Sequence, residues 1–195
     1  MCFRRKKAHP EMRLRRRGKS RQVGGKEQLN EGEARADNPV KLLFVCRANV
    51  CRSPMAEAIF NALAEDGDLP LRAASAGVAA LLGEEMAPNS RAALEEVGIH
   101  AGVHRARQVD ESMLREANLL VLAMSPRQVE TLRRRFGAPS GQVYTLPEYA
   151  LGASPQEGIP DPYGHTMTAF RASVRQLLDC VDGLVGRLER EGALR

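Results

Sequence analysis

Val40-Lys41-Leu42-Leu43-Phe44-Val45-Cys46-Arg47-Ala48-Asn49-Val50-Cys51-Arg52-Ser53-Pro54-Met55-Ala56-Glu57 changes character twice. Its first six residues form a short, mostly apolar run that stops at a polar loop, as a strand buried on both faces of a parallel sheet does. Ser53 and Pro54 then read as the N-cap and first residue of a helix. From Met55 onward, Met55, Ile59, Phe60 and Leu63 recur at helical spacing among good helix formers. Strand, loop and helix in this order put residues 46–53 at the carboxyl end of a strand and the amino end of a helix.

The same alternation continues along the chain. Residues 71–76 read as a strand ended by Gly77, and 90–97 as a helix ended by Gly98. A strand over 119–123, an arginine-rich helix over 126–136 closed by Gly137 and a strand over 142–146 follow. Phe170, Val174, Leu177, Leu178, Val181, Leu184, Val185 and Leu188 then mark a long amphipathic helix over about 166–191. Strands alternating with helices imply right-handed crossovers and a parallel α/β sheet covered on both faces. The 195 residues suit one core.

A hydrophobic content of 43% with 27% charged residues is that of a globular chain, and no run approaches the roughly 20 apolar residues a membrane-spanning helix needs. The net charge of +5 divides unevenly. Residues 1–40 hold 12 Lys and Arg against 5 Asp and Glu, so the remainder is slightly acidic. We read residues 1–39 as a basic, disordered extension and 40–195 as the folded domain. Such an arm could meet nucleic acid or an anionic membrane by counterion release, but a solvated leader is the favoured reading. It lacks the apolar core of a secretory signal. Four cysteines, Cys2, Cys46, Cys51 and Cys180, have neither disulfide-framework nor zinc-site spacing. Reduced thiols and cytoplasmic residence are expected.

The loop carries the chemistry. In open α/β sheets ligands bind beyond the carboxyl ends of the strands, where a tight loop's amides and a helix dipole can converge on one anion. Donors converging on Cys46 favour its thiolate, the nucleophilic form. The five residues between Cys46 and Arg52 let the chain curl so that the guanidinium fork faces the same anion.

Val45-Cys46 through Asn49-Val50-Cys51-Arg52-Ser53-Pro54-Met55-Ala56-Glu57 closely resembles the signature of the low-molecular-weight protein-tyrosine-phosphatases. Ser75-Ala76-Gly77, His104-Arg105-Ala106-Arg107, Ala123-Met124 and Asp161-Pro162-Tyr163-Gly164 continue the resemblance in the family's order, over 41 to about 190. It implies a three-layer, flavodoxin-like fold with a four-stranded parallel sheet. Cys46 would be the nucleophile, Arg52 the phosphate ligand and Asp161 the general acid. Arg47, Ala48, Asn49, Val50, Cys51 and Ser53 would form the phosphate loop, with Ser75 and His104 supporting Asn49 beneath it. Val50, Leu81 and Tyr163 would line the substrate pocket, and Cys51 could pair reversibly with Cys46 under oxidation. The mechanism needs no metal or cofactor. It takes a phosphorylated protein or peptide and releases inorganic phosphate.

Several residues depart from the family's usual pattern. Ala48 stands where Gly is common, and Arg47 puts an extra charge beside the nucleophile that could favour acidic partners. Tyr163 is followed by Gly164 rather than a second aromatic, which, with Leu146-Pro147-Glu148-Tyr149, resembles the bacterial branch that includes protein-arginine phosphatases. In that branch the residue before the second loop cysteine is typically Thr, whereas Val50 offers no hydroxyl. Phosphotyrosine is therefore the favoured substrate and phosphoarginine the alternative. Ser125 replaces an acid that in many members orients the histidine. A thiol-dependent arsenate reductase is disfavoured because no cysteine lies between 52 and 179. A non-catalytic phosphoprotein-binding module is disfavoured because nucleophile and acid are both present.

Overall fold

The computed structural model describes residues 40–117 and 119–194. The extension expected over 1–39 lies outside them. The described elements are β1 (Val40–Cys46), α1 (Arg52–Asp66), β2 (Arg72–Gly77), α2 (Pro88–Glu95), α3 (Glu111–Glu116), β3 (Leu120–Ala123), α4 (Pro126–Phe136), a 3-10 turn (Ser140–Gln142), β4 (Val143–Thr145), α5 (Leu146–Leu151) and α6 (Met167–Arg190).

All strand pairs are parallel, in the order β2-β1-β3-β4. This is the flavodoxin-like α/β arrangement, whose switch point lies between β1 and β3. Side chains of a strand point alternately to opposite faces. Leu42 and Phe44 of β1 accordingly join α1, α5 and α6 in one core layer, while Leu43 and Val45 join α3 and α4 in the other. Leu42, Leu43, Phe44 and Val45 are all buried, which is why β1 reads as a continuous apolar run. Along α6, Phe170, Val174, Leu177, Val181, Leu184 and Leu188 are buried in the core layer shared with α1, α2 and α5, each contributing about 1.5–3 kcal/mol of transfer free energy.

The expected elements all form, with instructive differences at their ends. The N-cap of α1 is Cys51, and Ser53 lies within the first turn instead of capping it. The Ser53 hydroxyl is drawn inward to Cys46 and Asn49, so it is not available to the helix end. α2 starts at Pro88, ahead of the expected 90, because proline fits the first turn. The last strand is shorter than expected, since Leu146 begins α5. Thr145 Oγ1 accepts from Glu148 N at 3.3 Å while Thr145 N donates to Glu148 Oε2 at 3.2 Å, a capping box that turns the chain from strand to helix. α3 was not expected; Asp110 caps it by accepting from Met113 N at 2.9 Å.

Candidate active site

The loop after β1 is held by its carbonyls. Cys46 O accepts from Val78 N at 3.0 Å, Arg47 O from Ala79 N at 2.9 Å, Ala48 O from Leu81 N at 3.0 Å and Val50 O from Ala87 N at 2.8 Å. His104 Nε2 donates to Asn49 O at 2.7 Å. In a trans peptide the N–H points opposite to the preceding C=O. Fixing these carbonyls outward therefore turns the following amides inward, together with the unpaired first amides of α1. They face a cavity of about 250 Å3 lined by Cys46, Arg47, Ala48, Val50, Cys51, Arg52, Ala79, Leu81, Asp161 and Tyr163.

Gly77 makes the strapping possible. A Cβ there would sit 2.5 Å from Arg47 O and 3.1 Å from Asn49 N, so no larger residue fits beneath the loop. Gly77→Ala is expected to cut kcat/KM by about 10²-fold, the usual consequence of misplacing reacting groups by about 1 Å, with far-UV circular dichroism unchanged. Wild-type kinetics in this variant would contradict the fit.

Cys46 is buried at the cavity floor, and its Sγ accepts from Asn49 N at 3.2 Å and Ser53 Oγ at 3.0 Å. Two donors thus converge on the sulfur. Arg52 is buried beside it. Its Nη1 donates to Ile159 O at 3.0 Å, its Nη2 pairs with the Asp161 carboxylate, and its Nε has no partner among the described residues. A buried cationic donor without an acceptor is costly, so the site is poised for an anion that takes the open edge of the guanidinium. Burial pushes the Cys51 thiol up to about 11, with Cys46 and Asp161 adding to the rise. The buried Ser90 hydroxyl beside it, which has no other partner among the described residues, and Arg52 offset part of that.

Asp161 arrives on the segment between α5 and α6. Ile159 N donates to Met124 O at 2.8 Å, clamping this segment to the end of β3. Gly158 permits the approach, since a Cβ there would meet Met124 O at 2.6 Å. Tyr163 N donates to Asp161 Oδ1 at 3.2 Å, and the Tyr163 ring, 60% exposed, stands at the mouth with Leu81, 44% exposed. Val50, 4% exposed, forms the inner apolar wall.

Beneath the loop, Asn49 sits in the left-handed region at φ 59°, which Asn tolerates. Ala48 is not in that region, so the missing glycine costs the backbone nothing there. Asn49 Nδ2 donates to Ser53 Oγ at 3.0 Å and to Ser75 Oγ at 2.9 Å, and its Oδ1 accepts from Arg107 N at 2.9 Å. Ser75 Oγ donates onward to Glu57 Oε2 at 2.5 Å, and Arg107 Nε donates to Ser75 O at 2.8 Å. Ser125 occupies the N-cap position of α4 without a side-chain capping bond. The residues expected at the site thus fall into one wall-and-floor set and one buried network. Sequence reasoning placed Glu57, Gly77 and Arg107 within the family's motifs without giving them a role at the site, and it did not find the 78–87 strap. Gly77 after a strand was a visible signal for close approach, whereas Glu57 reads as an ordinary surface residue of a helix.

Residues 41–194 match the family described as low molecular weight phosphotyrosine protein phosphatase. A protein-arginine-phosphatase of Bacillus subtilis is 32% identical over 150 residues, covering 77% of this chain and 97% of that protein. The probable low molecular weight protein-tyrosine-phosphatase EpsP of Ralstonia nicotianae is 34% identical over 152 residues, covering 77% of this chain and 97% of its own. Among solved structures, YwlE arginine phosphatase, as a mutant with a phosphorylated active-site serine, superposes with a TM-score of 0.74 at 31% identity over 79% of this chain and 99% of that one.

Proposed function

Because the chain belongs to the low molecular weight phosphotyrosine protein phosphatase family, a family of cysteine-dependent phosphatases, we propose that it hydrolyses phosphotyrosine in proteins through a phosphocysteine at Cys46. In the first step Cys46 Sγ attacks phosphorus in line, the P–O bond to the leaving group breaks, and Asp161 gives its proton to the departing oxygen. In the second, Asp161 takes a proton from water, the water oxygen attacks phosphorus, and the S–P bond breaks to return the thiolate and release inorganic phosphate. Arg52 and the inward amides hold the equatorial oxygens in both steps. Asn49, Ser53, Ser75 and His104 hold the loop in shape. A phosphorylated active-site serine in the YwlE mutant supports a phosphoenzyme on the equivalent position of this loop.

The observation that carries the substrate choice is the apolar wall of Val50, Ala79, Leu81 and Tyr163 over Cys46, which suits a phenyl ring. Phosphoarginine is the second reading, favoured by the arginine phosphatases among the relatives and by the single aromatic, Tyr163, after Asp161-Pro162. Wild type is expected to favour a phosphotyrosine peptide over its phosphoarginine counterpart, and Val50→Thr to narrow that preference. A wild type that already prefers phosphoarginine overturns the choice. The free thiols Cys46 and Cys51 support residence in a reducing compartment, for which we propose the cytoplasm. Cys51 is the partner we propose for Cys46 on oxidation, although its raised pKa leaves it protonated and slow to attack near neutral pH.

A further inference from the structure

The cavity has two arginines, and the resting contacts use only one. Arg52 lies at the floor, engaged with Asp161 and Ile159 and open at Nε to the phosphoryl group. Arg47 is exposed at the mouth, and among the described residues its guanidinium has no hydrogen-bond or ion-pair partner. Its backbone is not free to drift. Arg47 O is tied to Ala79 N at 2.9 Å over the tight contact with Gly77, so the side chain rises from a fixed root one residue from the nucleophile.

The charge arithmetic at the mouth then leaves Arg47 over. Arg52 and Asp161 compensate each other at rest, and Arg52 serves the phosphoryl oxygens when substrate is bound. The other rim side chains, Leu81 and Tyr163, offer no cation to compete for a carboxylate. With the phosphorylated side chain inserted to reach Cys46, the peptide backbone it hangs from must cross this rim, bringing neighbouring residues beside Arg47.

Resting on the phosphotyrosine phosphatase reading, the geometry points to Arg47 as a specificity-determining residue that selects substrates with an Asp or Glu next to the phosphorylated residue. The planar fork accepts a carboxylate bidentately, which an ammonium would not do. An exposed pair of this kind changes kcat/KM by up to about fivefold and weakens with salt, because the screening length is only about 8 Å at physiological ionic strength.

The test compares three phosphotyrosine peptides that differ only in flanking Glu, Gln or Lys, with wild type, Arg47→Gln and Arg47→Glu, at low and high salt. Each enzyme is scored by the ratio between its own peptides, so any change in overall rate cancels. Wild type is expected to prefer the Glu peptide over the Gln peptide at low salt, by up to about fivefold, with the ratio falling towards one at high salt. Arg47→Gln should equalise the two, and Arg47→Glu should prefer the Lys peptide. No preference in wild type, or an undiminished preference in both variants, overturns the assignment while leaving the phosphatase reading intact. Hydrolysis of none of the three by wild type overturns that reading, and this one with it.

Discussion

Cys46→Ser is expected to lower hydrolysis of p-nitrophenyl phosphate on the order of 10⁴-fold or more, while inorganic phosphate still binds. The substitution is close to isosteric, and a serine Oγ can accept the same bonds from Asn49 N and Ser53 Oγ that the sulfur accepts. The inward amides and Arg52 are untouched, so the anion cradle persists. What the substitution removes is the sulfur proposed to attack phosphorus, since an alcohol is a far poorer nucleophile than a thiol. Calorimetry with phosphate and steady-state rates on the same preparation separate the two effects. A variant that retains more than a few per cent of wild-type turnover contradicts a thiol mechanism.

Asp161→Asn is expected to cost roughly 10²–10⁴ in turnover, the range of a lost general acid. The loss should be largest for alkyl and aryl phosphates with poor leaving groups and smallest for p-nitrophenyl phosphate, whose leaving oxygen needs least protonation. Asn is the informative replacement. Its amide oxygen can still accept from Arg52 Nη2, so the buried guanidinium is not stranded, and the clamp of Ile159 on Met124 and Arg52 stays in place. A uniform loss across leaving groups would instead indicate that Asp161 acts by positioning Arg52.

The sheet was legible because β1 and β3 are buried on both faces and so appear as unbroken apolar runs, and α6 because one face alone is buried over 24 residues. The short elements were not. α3 has six residues and one buried side chain, too few to leave a period, and α5 carries its start in the Thr145 and Glu148 capping box, a signal masked because Leu146 extends the apolar run of β4. Ser53 misled at the helix start because a serine before a proline has the same spelling whether its hydroxyl caps the helix or turns inward to a thiol. Within the site, Cys46, Arg52 and Asp161 were legible as a spaced constellation with a family resemblance. Contacts between distant segments were not: Glu57 reaching Ser75, Arg107 reaching Asn49 and the strap from Val78 to Ala87 depend on the crossover between β1 and β2, which no local pattern encodes.

On the proposed mechanism the phosphoryl group passes through Cys46. The measurement uses Asp161→Asn, which on the proposed mechanism deprives both formation and breakdown of the phosphocysteine of their proton carrier. The protein is quenched in acid during turnover of p-nitrophenyl phosphate, whose good leaving group keeps the first step fast relative to the second. Peptide mapping by mass spectrometry is expected to find the phosphoryl group on the peptide containing Cys46, at Cys46 itself, and to lose it on chase without substrate. Phosphate attached to another residue, or continued turnover with no covalent adduct at any time, would contradict transfer through Cys46.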